Sequence, residues 1–135
     1  MGVMFRFAAV LLAMTGVASA EPFQEVTVGI PVTNLAEAEA WYSKLLGPDV
    51  EVMRPDPGIT ELKIAPGVWL QLFEPGGVED SGSILRFQVD NMAAAQAKLN
   101  SVDIDSGEAI EVPGLVTFSE FRDPDGNALG LYDLP

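Results

Sequence analysis

The chain has no cysteine and no histidine, and its 135 residues include only 7 basic ones against 20 acidic. Each shortage excludes something. Without cysteine no disulfide can form, so the folded state has to be held by its core alone. Cysteine nucleophiles are excluded too, and without histidine so are the triads and acid–base steps that run through an imidazole. Imidazole is also the ligand that suits zinc, nickel and iron. The excess of acids repels phosphate backbones and anionic lipid surfaces, which disfavours nucleic acid and membrane partners. These acids are dispersed rather than run together, which argues against a disordered acidic tail.

The apolar stretch Phe7 to Val17 falls short of the ~20 residues that span a bilayer. It follows Arg6 and precedes Ala18-Ser19-Ala20, the order of a charged n-region, an apolar core and a small-residue cleavage site. Residues 1–20 are expected to be a signal peptide. The mature chain is then 21–135, exported to the periplasm or secreted, without stable membrane insertion. It retains 6 basic and 20 acidic residues, a formal charge of −14.

Within that region the sequence repeats itself. Val32-Thr33-Asn34-Leu35-Ala36-Glu37-Ala38 is echoed fifty-seven positions later by Val89-Asp90-Asn91-Met92-Ala93-Ala94-Ala95. Gly67 to Glu74 is echoed fifty-nine positions later by Gly126 to Asp133. Two copies of one unit, 22–76 and 82–135, predict a pseudo-two-fold single domain. In the first copy Glu25 to Val32 alternates as a half-buried strand does. Asn34 stands where a helix N-cap belongs, and Leu35 to Leu46 has helical spacing before Gly47-Pro48 stops it. Strands are expected at Val50 to Met53, Thr60 to Ile64 and Val68 to Phe73, with turns at Pro55, Pro57-Gly58 and Pro66-Gly67. The second copy predicts a strand over Ile84 to Val89 and a helix from Met92 to Leu99 capped by Asn91. Strands follow at Ile104 to Val112, Leu115 to Phe121 and Ala128 to Tyr132, with a tight turn at Asp123-Pro124-Asp125-Gly126. The expectation is an α+β fold of two βαβββ modules, their mixed sheets curved around a shared cavity.

Two stretches carry a resemblance to a known family. Val32-Thr33-Asn34-Leu35 through Trp41-Tyr42 resembles the first strand-to-helix passage of the vicinal oxygen chelate superfamily, and Phe121-Arg122-Asp123-Pro124-Asp125-Gly126-Asn127-Ala128-Leu129 resembles its last hairpin. That superfamily includes glyoxalase I, extradiol dioxygenases and bleomycin-resistance proteins. The resemblance implies a divalent metal held by His, Gln or Glu at four equivalent positions, which fall here on Thr27, Gln71, Ile84 and Gly130. Gln71 alone has a side chain able to donate to a metal, whereas a catalytic metal needs about three protein ligands and an open position. No cofactor is therefore expected. Glu74, Asp133 and Glu120 are carboxylates near the strand ends or the cup, and solvated acids are the expectation for them.

Strand parity assigns Thr27, Gly29, Pro31, Trp69, Gln71, Phe73, Ile84, Arg86, Gln88, Ala128, Gly130 and Tyr132 to the cavity. Such an apolar, aromatic lining with a few polar groups suits a small molecule. Trp69, Gln71, Phe73, Arg86, Gln88, Glu120 and Tyr132 are the candidate ligand contacts. Trp69, Phe73 and Tyr132 either stack on a flat ligand or fill the cup. Arg86 either pairs with a ligand carboxylate or phosphate in bidentate fashion or is closed onto an internal acid such as Glu120. Trp41 and Tyr42 are expected to pack the helix on its sheet. The expected function is a metal-free binder of a small, aromatic or anionic molecule. The alternatives are a metal-dependent glyoxalase-like lyase or dioxygenase, and an interaction module with a vestigial pocket. Homodimers are common in the superfamily, and the sequence leaves one open.

Overall fold

A computed structural model describes residues 23–79 and 81–135; the expected signal peptide lies outside them. The first module runs β1 (Val26–Pro31), α1 (Leu35–Leu46), β2 (Val52–Asp56), β3 (Ile59–Ala65) and β4 (Val68–Phe73). The second runs β5 (Ile84–Gln88), α2 (Met92–Asn100), β6 (Ile110–Val112), β7 (Val116–Arg122) and β8 (Ala128–Asp133). Each forms a four-stranded mixed sheet, ordered β1-β4-β3-β2 and β5-β8-β7-β6. In both, the first strand lies parallel to the last and the remaining pairs are antiparallel. The architecture is two βαβββ modules in a pseudo-two-fold α+β fold. No helix among the described residues is long and apolar enough to cross a membrane.

The repeat has a physical cause at the helix starts. Asn34 Oδ1 accepts from Glu37 N (2.9 Å) and Asn91 Oδ1 from Ala94 N (2.8 Å), which are N-caps in extended conformation. A second acceptor comes from the end of each module. Leu35 N donates to Glu74 Oε2 (2.7 Å) and Met92 N to Asp133 Oδ2 (2.8 Å). Glu74 and Asp133 are therefore not the merely solvated acids expected of them. Each satisfies an orphan first-turn amide and places negative charge at the positive end of a helix. Echo and cap coincide because both modules close in this way.

Alternation along β4 sends Leu70 and Leu72 to the helix side, where both are fully buried. With Ile30, Val32, Tyr42 and Leu62 from the first module and Met92, Leu99, Phe121, Leu129 and Leu131 from the second, they form one continuous core. The modules are also joined by polar contacts at the Asp123-to-Asn127 turn. Asp123, almost fully buried, accepts from Asp125 N (2.9 Å) and Asn127 N (2.8 Å), and from Asn127 Nδ2 (2.8 Å). From the other module Tyr42 Oη donates to Asp123 Oδ2 (2.7 Å). Asn127 Nδ2 also donates to Pro31 O (2.9 Å), and Asp125 Oδ1 accepts from Thr33 N (3.0 Å) and Thr33 Oγ1 (2.5 Å). The turn thus clamps one module to the other. Tyr42, expected as a packing residue, is also a donor in that clamp. Burial above all, then the charge of Asp123 and the bond to it, hold its phenol well above the usual tyrosine range.

Two strand expectations need correction. β2 begins at Val52 and runs through Pro55 to Asp56 instead of ending at Met53. It is an edge strand whose register slips between Met53 and Asp56, so proline's missing N–H removes no ladder bond there. Residues 104–109 form no strand, and β6 covers only Ile110–Val112. Ile104 turns into the core. Gly107 then takes φ +83°, with Asp105 Oδ1 accepting from its N–H (2.9 Å) and its own carbonyl accepting from Gln96 Nε2 (2.7 Å). Side chain–backbone bonds of this kind compete with a ladder.

Candidate functional site

The faces turned away from the helices carry the expected cup residues in matching rows. Across the first sheet Gly29 stands opposite Gln71, and Gln71 opposite Glu61. Across the second, Arg86 stands opposite Gly130, and Gly130 opposite Glu120. Glu61 and Glu120 are themselves fifty-nine positions apart, so each module sets one carboxylate in its middle row. Each carboxylate takes a donor from its own row: Gln71 Nε2 donates to Glu61 Oε2 (2.8 Å) and Arg86 Nη2 to Glu120 Oε2 (2.7 Å).

The two halves then diverge. In the first, Trp69 is buried, its Nε1 donating to Glu25 Oε2 (3.3 Å) while Lys63 Nζ lies 5.6 Å above the ring. Phe73 lies close against Gly29, where an added Cβ would stand 3.3 Å from the ring. The Trp69 ring is thus engaged by the protein's own side chains, and Phe73 lies against the Gly29 backbone. In the second half Arg86, Val116, Phe118 and Tyr132 line an open cavity of about 320 Å³. Phe118 stands opposite Tyr132, and Tyr132 opposite Gln88, which is exposed. The Arg86 and Glu120 side chains remain 42% and 52% exposed, so their pair is open to an arriving molecule. Gly130 makes the geometry possible. A Cβ there would stand 2.9 Å from Ser119 O and 3.1 Å from Arg86 Cγ, so only glycine lets the arginine stem cross β8 to reach Glu120.

The structure thus brings Arg86, Glu120 and Tyr132 together, sets Gln88 beside Tyr132, and leaves Trp69, Gln71 and Phe73 on the other half. Sequence reasoning missed Val116 and Phe118. Their signal was available, since they share the parity of Glu120 on β7. Glu61 and Lys63 were missed as well, and the fifty-nine-residue repeat pairs Glu61 with Glu120 directly. A larger cavity, about 630 Å³, lies between the start of α1 and the β2–β3 hairpin. Its Arg54 is closed onto Glu39, which also accepts from Thr60 Oγ1 (3.2 Å).

A metal at the four equivalent positions does not fit the residues present. Thr27, Ile84 and Gly130 contribute one hydroxyl among them and no carboxylate or imidazole, and the Gln71 amide is engaged by Glu61. Among the described residues no group of three or more carboxylates is placed to hold an ion.

No protein-family profile matches the chain, and no curated protein sequence matches it. Solved structures do. A glyoxalase/bleomycin resistance protein from Catenulispora acidiphila superposes with a TM-score of 0.68 at 19% identity, covering 84% of this chain and 100% of that one. A lactoylglutathione lyase from Agrobacterium tumefaciens gives 0.67 at 20% identity, covering 84% and 96%. A genomically encoded fosfomycin resistance protein from Listeria monocytogenes gives 0.67 at 15%, covering 91% and 96%. The chain has the fold of the vicinal oxygen chelate superfamily.

Proposed function

We propose that this protein is an exported, metal-free binder of a small anionic molecule, held on the second-module half of the cup by Arg86. The observation that carries the reading is one half-exposed guanidinium standing at an apolar shelf formed by Val116, Phe118 and Tyr132. A concave, mainly apolar surface with one fixed polar anchor is the usual make-up of a small-molecule site. Among the fold's neighbours are proteins named for drug resistance and for lyase activity. The donor set of this chain favours binding over metal-assisted chemistry, because one engaged amide leaves a divalent ion without its three protein ligands.

Binding is tested by titrating aromatic carboxylates into wild type and Arg86→Ala. A hydrogen bond to a charged group is worth roughly 1.5–3 kcal/mol, and the exposure of this pair places the effect at the low end. Arg86→Ala should therefore weaken binding about tenfold, with the melting temperature almost unchanged. Equal affinity in both proteins refutes the role of Arg86.

The metal-free state has its own test. After dialysis against zinc, nickel, manganese or iron, the purified protein should retain less than one equivalent, and chelator should leave its melting temperature unaltered. Tight one-to-one binding lost on Glu120→Ala would favour the lyase or dioxygenase reading. Export is read from the leader alone. Expressed in a bacterium, the secreted protein should begin at Glu21 by N-terminal mass analysis; an intact Met1 in the membrane pellet would refute it.

A further inference from the structure

Arg86 does not stand alone on its shelf, and its partner decides what the shelf selects. Glu120 Oε2 lies 2.7 Å from Arg86 Nη2, so the site presents a positive and a negative group side by side, both solvent-accessible. A ligand that is only an anion has to compete with Glu120 for the guanidinium. Where it succeeds, it leaves a carboxylate without its partner in a chain of formal charge −13. A ligand that is only a cation strips Arg86 of its acid in the same way. A ligand carrying both groups on neighbouring atoms meets both requirements at once, its carboxylate on the free donors of the guanidinium fork and its ammonium on Glu120. One internal pair is then exchanged for two, and no charge is left unmatched.

The remaining shelf sets the rest of the molecule. Val116, Phe118 and Tyr132 are apolar or aromatic, stand beside Arg86, and enclose about 320 Å³, which suits an apolar body of about one ring. Gly130 keeps the arrangement flat, since a Cβ there would press on Arg86 Cγ at 3.1 Å. We propose that the ligand is a zwitterion with adjacent ammonium and carboxylate groups and an apolar side chain, of the chemical class of an aromatic or branched amino acid. Glu120 is the residue that selects it over a plain carboxylate. This inference rests on the Arg86 reading above and adds to it the role of the acid.

Three probes with one phenyl body separate the possibilities: L-phenylalanine with both charges, 3-phenylpropionate with only the carboxylate, and phenethylamine with only the ammonium. Calorimetric titration of the purified protein should show L-phenylalanine binding about fivefold tighter than either single-charge probe, the scale of one exposed ion pair. Glu120→Gln should abolish the preference over 3-phenylpropionate, weakening L-phenylalanine and strengthening 3-phenylpropionate, because the guanidinium no longer has an internal competitor. Arg86→Gln should weaken both carboxylates and strengthen phenethylamine, because Glu120 then has no internal competitor. Wild type that binds 3-phenylpropionate as tightly as L-phenylalanine, with Arg86→Gln still weakening both, overturns the zwitterion and leaves the Arg86 reading standing. Wild type that binds neither carboxylate overturns both together. Melting curves of the two variants, both changed at half-exposed positions, should match wild type.

Discussion

Asp123→Ala is expected to lower the melting temperature by roughly 10–15 °C, the equivalent of about 3–4 kcal/mol for a domain of this size. The substitution removes an acceptor that serves four donors, two of them amides of its own turn and one the phenol of the other module. Tyr42 is fully buried, so its hydroxyl is left without a partner and away from water, the costly half of a broken hydrogen bond. Tyr42→Phe should cost less, about 1–2 kcal/mol, because Asp123 keeps its other three donors. The two substitutions should be non-additive, since they disrupt one network. A loss on Asp123→Ala no greater than on Tyr42→Phe would show that the turn holds without its acid.

The same phenol gives a pH signature. Its ionisation is raised in the folded state, by burial first and by Asp123 second, so the folded protein holds a proton that the unfolded chain releases above about pH 10. The contribution is fully present below that pH, and stability falls as pH rises further, the direction linkage requires when the native state binds more protons. Urea midpoints of wild type should decline more steeply above pH 10 than those of Tyr42→Phe.

Gly107→Ala is the second large effect. The residue sits at φ +83° with Glu120 O only 2.2 Å from where a Cβ would be built. Left-handed backbone alone costs an alanine about 1–2 kcal/mol, and the clash is with a backbone atom that cannot swing aside. A total of about 3 kcal/mol or more is expected. Gly114 supplies the control, having φ +74° with nothing within 4 Å of a built Cβ. Gly114→Ala should cost only the conformational part, about 1 kcal/mol. Equal urea midpoints for the two variants would remove the steric argument. Because Gly107 abuts the backbone of Glu120, its substitution should also disturb the Arg86 pair, which a parallel titration would register.

Local pattern was enough for much of the fold. α1 and β4 follow from spacing alone, because helical and strand periods are properties of consecutive residues. Asn34 and Asn91 are read as caps for the same reason, acting on amides three positions away. The repeat could be found without any structure because two modules with the same cap, turn and edge requirements keep the same residue types in place.

Other features were decided by residues far apart in the chain. Tyr42 and Asp123 are eighty-one positions apart, and nothing near either one announces the other. Glu74 and Asp133 look like solvated strand ends until β4 and β8 come to rest beside the helix starts. Residues 104–109 lead directly into β6 in sequence, yet Ile104 packs into the core, and Gly107 is held against Glu120 where no ladder forms. The sheet faces turned away from the helices show the division most clearly. The sequence by itself determined which residues share a face, since parity needs only the chain direction. Tertiary structure decided that Lys63 and Glu25 would engage Trp69 in one module while Arg86, paired with Glu120, stayed half-exposed beside Phe118 in the other. That choice depends on which long side chains reach across neighbouring strands, a matter of three-dimensional distance that local periodicity does not encode.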